Sequence, residues 1–511
     1  MKIFKTALII YMCLVVCFVT TACDNNDYSD AQIAFSTVSS VSTFDPQLAK
    51  TEAEITIASN CFEGLLTKDD KGNIINGAIE SYSVDNFVYN FKIKDNLLWS
   101  DGETPLTAKD FEFGIKRAVL KQTNSPFAPL LYSIKNAEKI NKGKASIETL
   151  GVKANENTLQ ITLERADDGF LETLTKPLCF PCNETFFNET AGKYGLKSKY
   201  IISNGAFSIE YYNTDTKTVI IKNSEDYKGE TKAIPKSVTI NYSETYDSIY
   251  SDFESGEIDV GSIDCSYLSS LEELGNKSKL FYDSNYCLYI SDDLISESGV
   301  KLNKALSYAI DNGVITSNIN DYYGNVSGII PDINVFGGSE YRKQVGNVSL
   351  NEYNPQKSEN MLGDYEQASD VLNGLNIYHP TGESRLALIP NLIAQEWQKD
   401  LNIFINSAEE EPETINSKIV SGDIKIAVIK VSSENNEAQT SFNSLNSLEI
   451  CEKSNVKTAK QLFQKEQSLI SDGIIYPLLS VPTAISFGEQ IEGLCTSKDG
   501  KTIDFRHTKK S

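Results

Sequence analysis

The chain has 511 residues, 40% of them hydrophobic and 10% aromatic, enough for two or three domains with sizeable cores. Its 70 acidic and 47 basic residues leave a net charge of −23, which argues against a nucleic-acid partner and against broad docking on anionic lipid. Ten cysteines and two histidines are too sparse and scattered for a disulfide framework or a zinc cluster.

Residues 1–22 read as an export signal. Lys2 and Lys5 precede an apolar run over 7–19, shorter than the ~20 residues that span a bilayer. Thr20-Thr21-Ala22 then places small residues before Cys23, which resembles a bacterial lipobox with Cys23 as the lipidated residue. The polar Asp24-Asn25-Asn26-Asp27 suits a tether over 23–30. Cys61, Cys179, Cys182, Cys265, Cys287, Cys451 and Cys495 remain, an odd set that cannot pair completely. Cys179 and Cys182 have redox or zinc spacing, but without a second Cys/His pair two buried thiols or one local disulfide is expected. Pairing of Cys265 with Cys287 stays open.

Residues 89–118 read as strand, turn and capped helix. Tyr89, Phe91 and Ile93 alternate with polar residues, as in a half-buried strand. Ser100-Asp101-Gly102 supplies turn chemistry. Thr107 and Asp110 have the spacing of a helix cap. Ala108, Phe111, Ile115, Ala118 and Val119 then fall on one helical face. Further strands are expected at 158–163, 219–222, 237–240 and 403–405, with helices at 302–310 and 388–400. Such alternation makes an α/β chain. The polar tail, 498–511, is expected to be ordered only in part. With no G-x-S-x-G, no H-E-x-x-H and two histidines, the sequence offers little for an enzyme.

Several landmarks occur in a fixed order. They are Phe44-Asp45-Pro46, Phe62-Glu63-Gly64-Leu65, the block from Trp99 through Thr107-Ala108-Lys109-Asp110-Phe111, Asn204-Gly205-Ala206-Phe207, Gly256-Glu257-Ile258-Asp259, Lys304-Ala305-Leu306-Ser307-Tyr308-Ala309-Ile310-Asp311 and Tyr353-Asn354-Pro355. In this the chain resembles the family 5 solute-binding proteins of ABC importers. The resemblance implies a bilobed, periplasmic-binding-protein-like class II clamshell of α/β lobes, with an extra α/β domain inserted in the first lobe. Mapped onto this chain, the first lobe is 31–62, 200–284 and 478–511, the extra domain 63–199 and the second lobe 285–477.

The implied function is capture of a peptide-like solute between the lobes and delivery to an ABC permease, by a monomer anchored outside the cytoplasmic membrane through Cys23. No catalysis, cofactor or metal is implied. The alternative is a diverged binding protein used for sensing or adhesion, with an altered ligand. By the same resemblance the ligand-binding positions are Lys50, Thr51 and Glu52 in the first lobe, Phe127 in the extra domain, Asn204 and Gly205 where the chain re-enters the first lobe, and Arg385, Leu386, Val428, Val431, Ser432 and Glu434 in the second lobe. Glu434 stands where an acidic residue meets the ligand's amino end, and Val431 where the family carries Trp. For Asn204-Gly205 a purely structural turn is equally expected.

Overall fold

Ten strands among the described residues join into one sheet. The computed structural model describes residues 30–511 except 168, 320–321, 364, 382–386, 433–435 and 453–455. The signal, Cys23, Arg385, Leu386 and Glu434 therefore lie outside the described residues. In chain order the strands are β1 (Gln32–Thr37), β2 (Phe207–Asn213), β3 (Thr218–Asn223), β4 (Ser237–Tyr242), β5 (Val260–Asp264), β6 (Lys277–Ile290), β7 (Asn376–Pro380), β8 (Asn406–Glu410), β9 (Ile426–Ser432) and β10 (Ile475–Phe487). Their spatial order is β8-β7-β9-β6-β10-β5-β1-β4-β3-β2. β1 runs parallel to β4 and β5, and β7 runs parallel to β8 and β9.

The two long strands, β6 and β10, pair antiparallel in the middle. Residues 277–281 of β6 face 483–487 of β10, on the side where β10 also pairs with β5. Residues 284–290 pair with β9 on one edge and with residues 475–481 on the other. Between these halves the register shifts, so Tyr282 and Asp283 stand opposite Pro482 alone. Proline has no N–H for the ladder, which fits its place at a bulge. Apolar cores lie on both sides of this point. One holds Ile33, Phe35, Val238 and Phe505; two others hold Leu288, Ile393 and Trp397, and Ile429, Phe442 and Leu462. The molecule is thus a bilobed α/β fold whose lobes share two strands.

The extra domain is a four-stranded antiparallel sheet in the order Ile79–Asp85, Val88–Ile93, Thr158–Thr162, Val152–Asn155. It is covered by the helix Ala108–Val119, which buries Phe111, Ile115, Ala118 and Val119. The expected cap forms, with Asp110 Oδ2 accepting from Thr107 N at 2.7 Å and from Thr107 Oγ1 at 2.9 Å.

Asp45 ties this domain to the first lobe. Its carboxylate receives Arg117 Nη2 at 2.5 Å and Nη1 at 3.1 Å, and Gln47 Oε1 accepts from Nη1 at 2.7 Å. The guanidinium lies 4.2 Å from the Phe187 ring centroid. The landmark Phe44-Asp45-Pro46 therefore holds one end of a buried ion pair, and the other end lies on the helix that the Trp99–Phe111 block begins.

Other expectations shift at their edges. The helix read at 302–310 is Leu302–Ser307, and the one at 388–400 is Leu388–Leu401. Asn402 ends the latter in the left-handed region, at φ 53°. The strand expected at 403–405 is displaced to β8. Phe404 N bonds the Asn373 side chain at 2.8 Å, so ladder pairing starts only at Asn406.

The tail is ordered, against expectation. Phe505 packs 5.7 Å from Phe35, Asn60 Nδ2 donates to Ile503 O at 2.7 Å and Phe505 N to Asn60 Oδ1 at 2.9 Å. Its order comes from the helix α1 (Glu52–Cys61), more than 400 residues away in sequence. All seven described cysteines are free thiols, so neither Cys179 and Cys182 nor Cys265 and Cys287 are paired. Burial pushes the Cys182 thiol up to about 11 and Cys179 to about 12.

Asp45→Ala leaves the Arg117 guanidinium buried without its counter-charge. It is expected to cost about 3–5 kcal/mol, read as a lowered melting temperature of the purified full-length protein.

Candidate functional site

α1 begins at the carboxyl end of β1, beside parallel β5. In open α/β sheets this end, outside the strand termini, is where a crevice forms. Thr51 caps α1: its Oγ1 accepts from Glu54 N at 3.2 Å and donates to Ser40 O at 2.8 Å. Glu54 gathers the preceding loop, accepting from Ser42 N and Oγ at 2.9 and 2.6 Å and from Lys50 N at 3.0 Å. Burial pushes Glu54 up, but these bonds to its ionised form outweigh burial and hold it below the usual carboxylate range.

Glu52 projects from the same turn, and its Oε2 accepts from Thr37 Oγ1 at 2.8 Å. Burial pushes its carboxyl up to about 7 despite hydrogen bonds from Thr37, Ser262 and Ser39, and the nearby charge of Asp283 adds to the rise. Asp283, at the bulge of β6, is also pushed up by burial, opposed by Lys501 and Lys430. Lys430 comes from β9. There Ile426 and Val428 enter one core and Ala427, Ile429 and Val431 another, and Lys430 and Ser432 emerge exposed on the Val428 side.

The two lobes meet along a seam in this region. A Cβ built on Gly169 of the extra domain falls 2.5 Å from Gly338 Cα of the 285–477 segment. Asn436 Nδ2 donates to Asp499 Oδ2, Lys501 Nζ reaches Asn436 Oδ1 at 3.4 Å, and Lys498 lies 3.9 Å from Glu340. Glu437 is pushed up to about 7 by burial, lowered by the charge of Lys176 and raised by that of Asp167. The Gly338 excursion is braced from beneath. Fully buried Glu466 accepts from Ile330 N at 3.0 Å, Tyr341 Oη at 3.2 Å and Arg342 Nη2 at 2.5 Å.

Of the residues named from sequence, Glu52 and Ser432 reach this neighbourhood. Lys50 is exposed, and its backbone N–H serves Glu54. Phe127 is half-buried against the large core, just before a short 3-10 turn. The Asn204 amide is engaged at both ends by the Glu63 backbone, at 2.9 and 3.2 Å. Gly205 packs so tightly on Cys61 that a Cβ would lie 2.6 Å from its carbonyl carbon. Val428 and Val431 are core side chains. Asp283, Lys430, Glu437, Lys176, Asp167, Asp499 and Lys501 were not singled out from sequence. For Asp283 alone there is a signal, the polar triplet Asp283-Ser284-Asn285 between the apolar Leu280-Phe281-Tyr282 and Tyr286-Cys287-Leu288. A separate cavity of about 600 Å³ lies in the first lobe against Lys279, Phe487, Leu494 and His507, apart from these residues.

A model of the bacterial extracellular solute-binding proteins, family 5 Middle, matches residues 44–449. The chain belongs to this family. The dipeptide-binding protein of Lactococcus lactis subsp. cremoris (strain MG1363) is 33% identical over 192 residues, which is 37% of this chain and 35% of that protein. The periplasmic murein peptide-binding protein MppA of Escherichia coli (strain K12) is 34% identical over 201 residues, 39% of this chain and 37% of that protein. These two matches thus span little more than a third of either relative. The periplasmic oligopeptide-binding protein OppA of the same strain is 24% identical over 420 residues, 80% of this chain and 76% of that protein. Among solved structures, the pheromone receptor PrgZ superposes with a TM-score of 0.69 at 21% identity, over 94% of this chain and 100% of that one. The Escherichia coli murein tripeptide binding protein MppA gives 0.69 at 21%, over 94% and 98%. At such identities these superpositions speak for the family 5 fold.

Two expected outcomes test the seam. Gly169 has φ −89°, which any residue adopts, so Gly169→Val acts through its clash with Gly338. It should disfavour this contact between the lobes by about 1–3 kcal/mol, read as a larger radius in solution scattering. The second concerns pH. Glu52 and Glu437 stay protonated in the folded molecule up to about 7, whereas an unfolded chain ionises them near 4.5. The folded state then binds more protons, so stability is full below about 4.5 and falls as pH rises towards 7. Glu437→Gln should remove about 1–2 kcal/mol of that fall, seen as a flatter plot of melting temperature against pH.

Proposed function

We propose that this chain is a membrane-tethered, extracytoplasmic receptor that closes its two lobes over a peptide-like solute and delivers it to an ABC importer. The observation that carries this reading is the seam itself. Groups of both signs converge there from every part of the fold: Glu52 from the first lobe, Asp167 and Lys176 from the extra domain, Lys430 and Glu437 from the second lobe, and Asp499 and Lys501 from the tail. A zwitterionic solute with a hydrogen-bonding backbone has the matching chemistry. A catalyst would need a poised nucleophile and base, and the reading is of a binding protein.

In this reading the moving bodies are 31–62 with 200–284 and 478–511, carrying 63–199, against 285–477. They turn about the bulge of β6 and β10, and ligand shifts the population towards the closed form. Ser432, Glu434, Arg385, Leu386, Lys50 and Phe127 are assigned as ligand contacts on the strength of the family resemblance. Cys23 supplies the anchor, on the strength of the signal that precedes it. The relatives named for dipeptides, oligopeptides and murein peptide agree with a peptide-like solute.

A library of di- to octapeptides tests the reading. A member in hundredfold excess over its Kd should stabilise the protein by about 2.7 kcal/mol, seen as a raised melting temperature together with a smaller scattering radius. If no member gives either change, peptide capture is wrong and the sensing or adhesion reading takes its place.

A further inference from the structure

Two carboxylates at the seam are incompletely satisfied. Glu52 Oε1 and Asp283 Oδ1 are each shut off from solvent and take no hydrogen bond among the described residues. A buried carboxylate oxygen without a donor is costly, and two such groups that repel each other are more so. Lys501 and Lys430 act on Asp283 through their charge, but its Oδ1 takes no hydrogen bond from either. Asp499 is already used, by Ser497 Oγ at 2.5 Å and by Asn436. The hydroxyls of Thr37, Ser39 and Ser262 complete the surroundings of Glu52.

We propose that Glu52 and Asp283 form the seat of a cationic group on the ligand, an ammonium or guanidinium held between the first lobe and the shared strand. Such a group brings several N–H donors and a positive charge, which is what the two orphaned oxygens lack. Asp283 lies at the bulge about which the lobes turn. Recognition of the charge and closure are then one event, and the ligand class is narrowed from peptides in general to peptides with a cation at this position. This rests on the reading of the seam as the ligand cleft.

The test is calorimetric titration of the full-length protein with four probes: Ala-Lys-Ala, Ala-norleucine-Ala and the N-acetyl form of each. The lysine and free-amine probes are expected to bind about tenfold tighter than N-acetyl-Ala-norleucine-Ala. Loss of the preference on replacing lysine, or on acetylation, tells a side-chain cation from an amino terminus, and either supports the seat. The Glu52→Gln/Asp283→Asn double variant should lose the preference between charged and neutral probes. Equal affinities in the unaltered protein, or a preference that survives in the double variant, overturn the seat and leave the peptide reading standing. Failure of all four probes to bind overturns both. If the double variant does not fold, judged by its melting curve, the comparison in the unaltered protein decides.

Discussion

β6 and β10 pass side by side from one lobe into the other, and their antiparallel ladder shifts register at Tyr282-Asp283 opposite Pro482 and again between Tyr286 and Cys287. Every other relation between the lobes depends on that arrangement. A hydrogen-bonded pair of strands resists shear along its length, because sliding by one residue turns every side chain to the opposite face. In the proposed closure the lobes change their relation where this ladder is interrupted. The bulge also adds local twist, which sets the direction of the bend. That the interruption carries a half-buried aspartate places an ionisable group where the two halves of the shared strand pair meet.

Each loop that contributes to the seam is fastened to its own body, which keeps the seam's chemistry in place through the proposed closure. Asp45 and Arg117 hold the extra domain, and with it Lys176 and Asp167, to the first lobe. Glu466 and Arg342 hold the Gly338 excursion to the second lobe, with both side chains buried. Buried pairs of this kind add little net stability over apolar packing, but they admit one geometry. Their worth here is that two distant walls arrive opposite each other in a reproducible position.

Much of the architecture was legible from local pattern. The strand Val88–Ile93 and the helix Ala108–Val119 follow from period-2 and helical spacing, and their cap from Thr107 and Asp110, because each depends on residues a few positions apart. The strand at 403–405 was misread because its apolar alternation is real. Ile403 and Ile405 are buried, but the Asn373 side chain takes the backbone N–H that a ladder would use. The tail looked like a polar end because its partners, Thr56, Asn60 and Phe35, lie at the opposite end of the sequence. The site was legible at Glu52, reached through a neighbouring motif. Glu437 and Asp283 were not, since a carboxylate acquires its character from burial and from charges hundreds of residues away. The family landmarks themselves turned out to be joints of the framework, Asp45 and Asn204 among them.

The docking of residues 503–506 on α1 has a consequence for the order in which the molecule can be made. β1 and α1 are synthesised and emerge first, yet Phe35 meets Phe505 and Asn60 meets the backbone of Ile503 and Phe505. β10, which completes the sheet beside β5, comes almost as late. A nascent chain can finish the second lobe while the first still exposes apolar surface. The lobe begun first is thus sealed last, and a chain cut short before residue 475 lacks one of the two strands that join its halves.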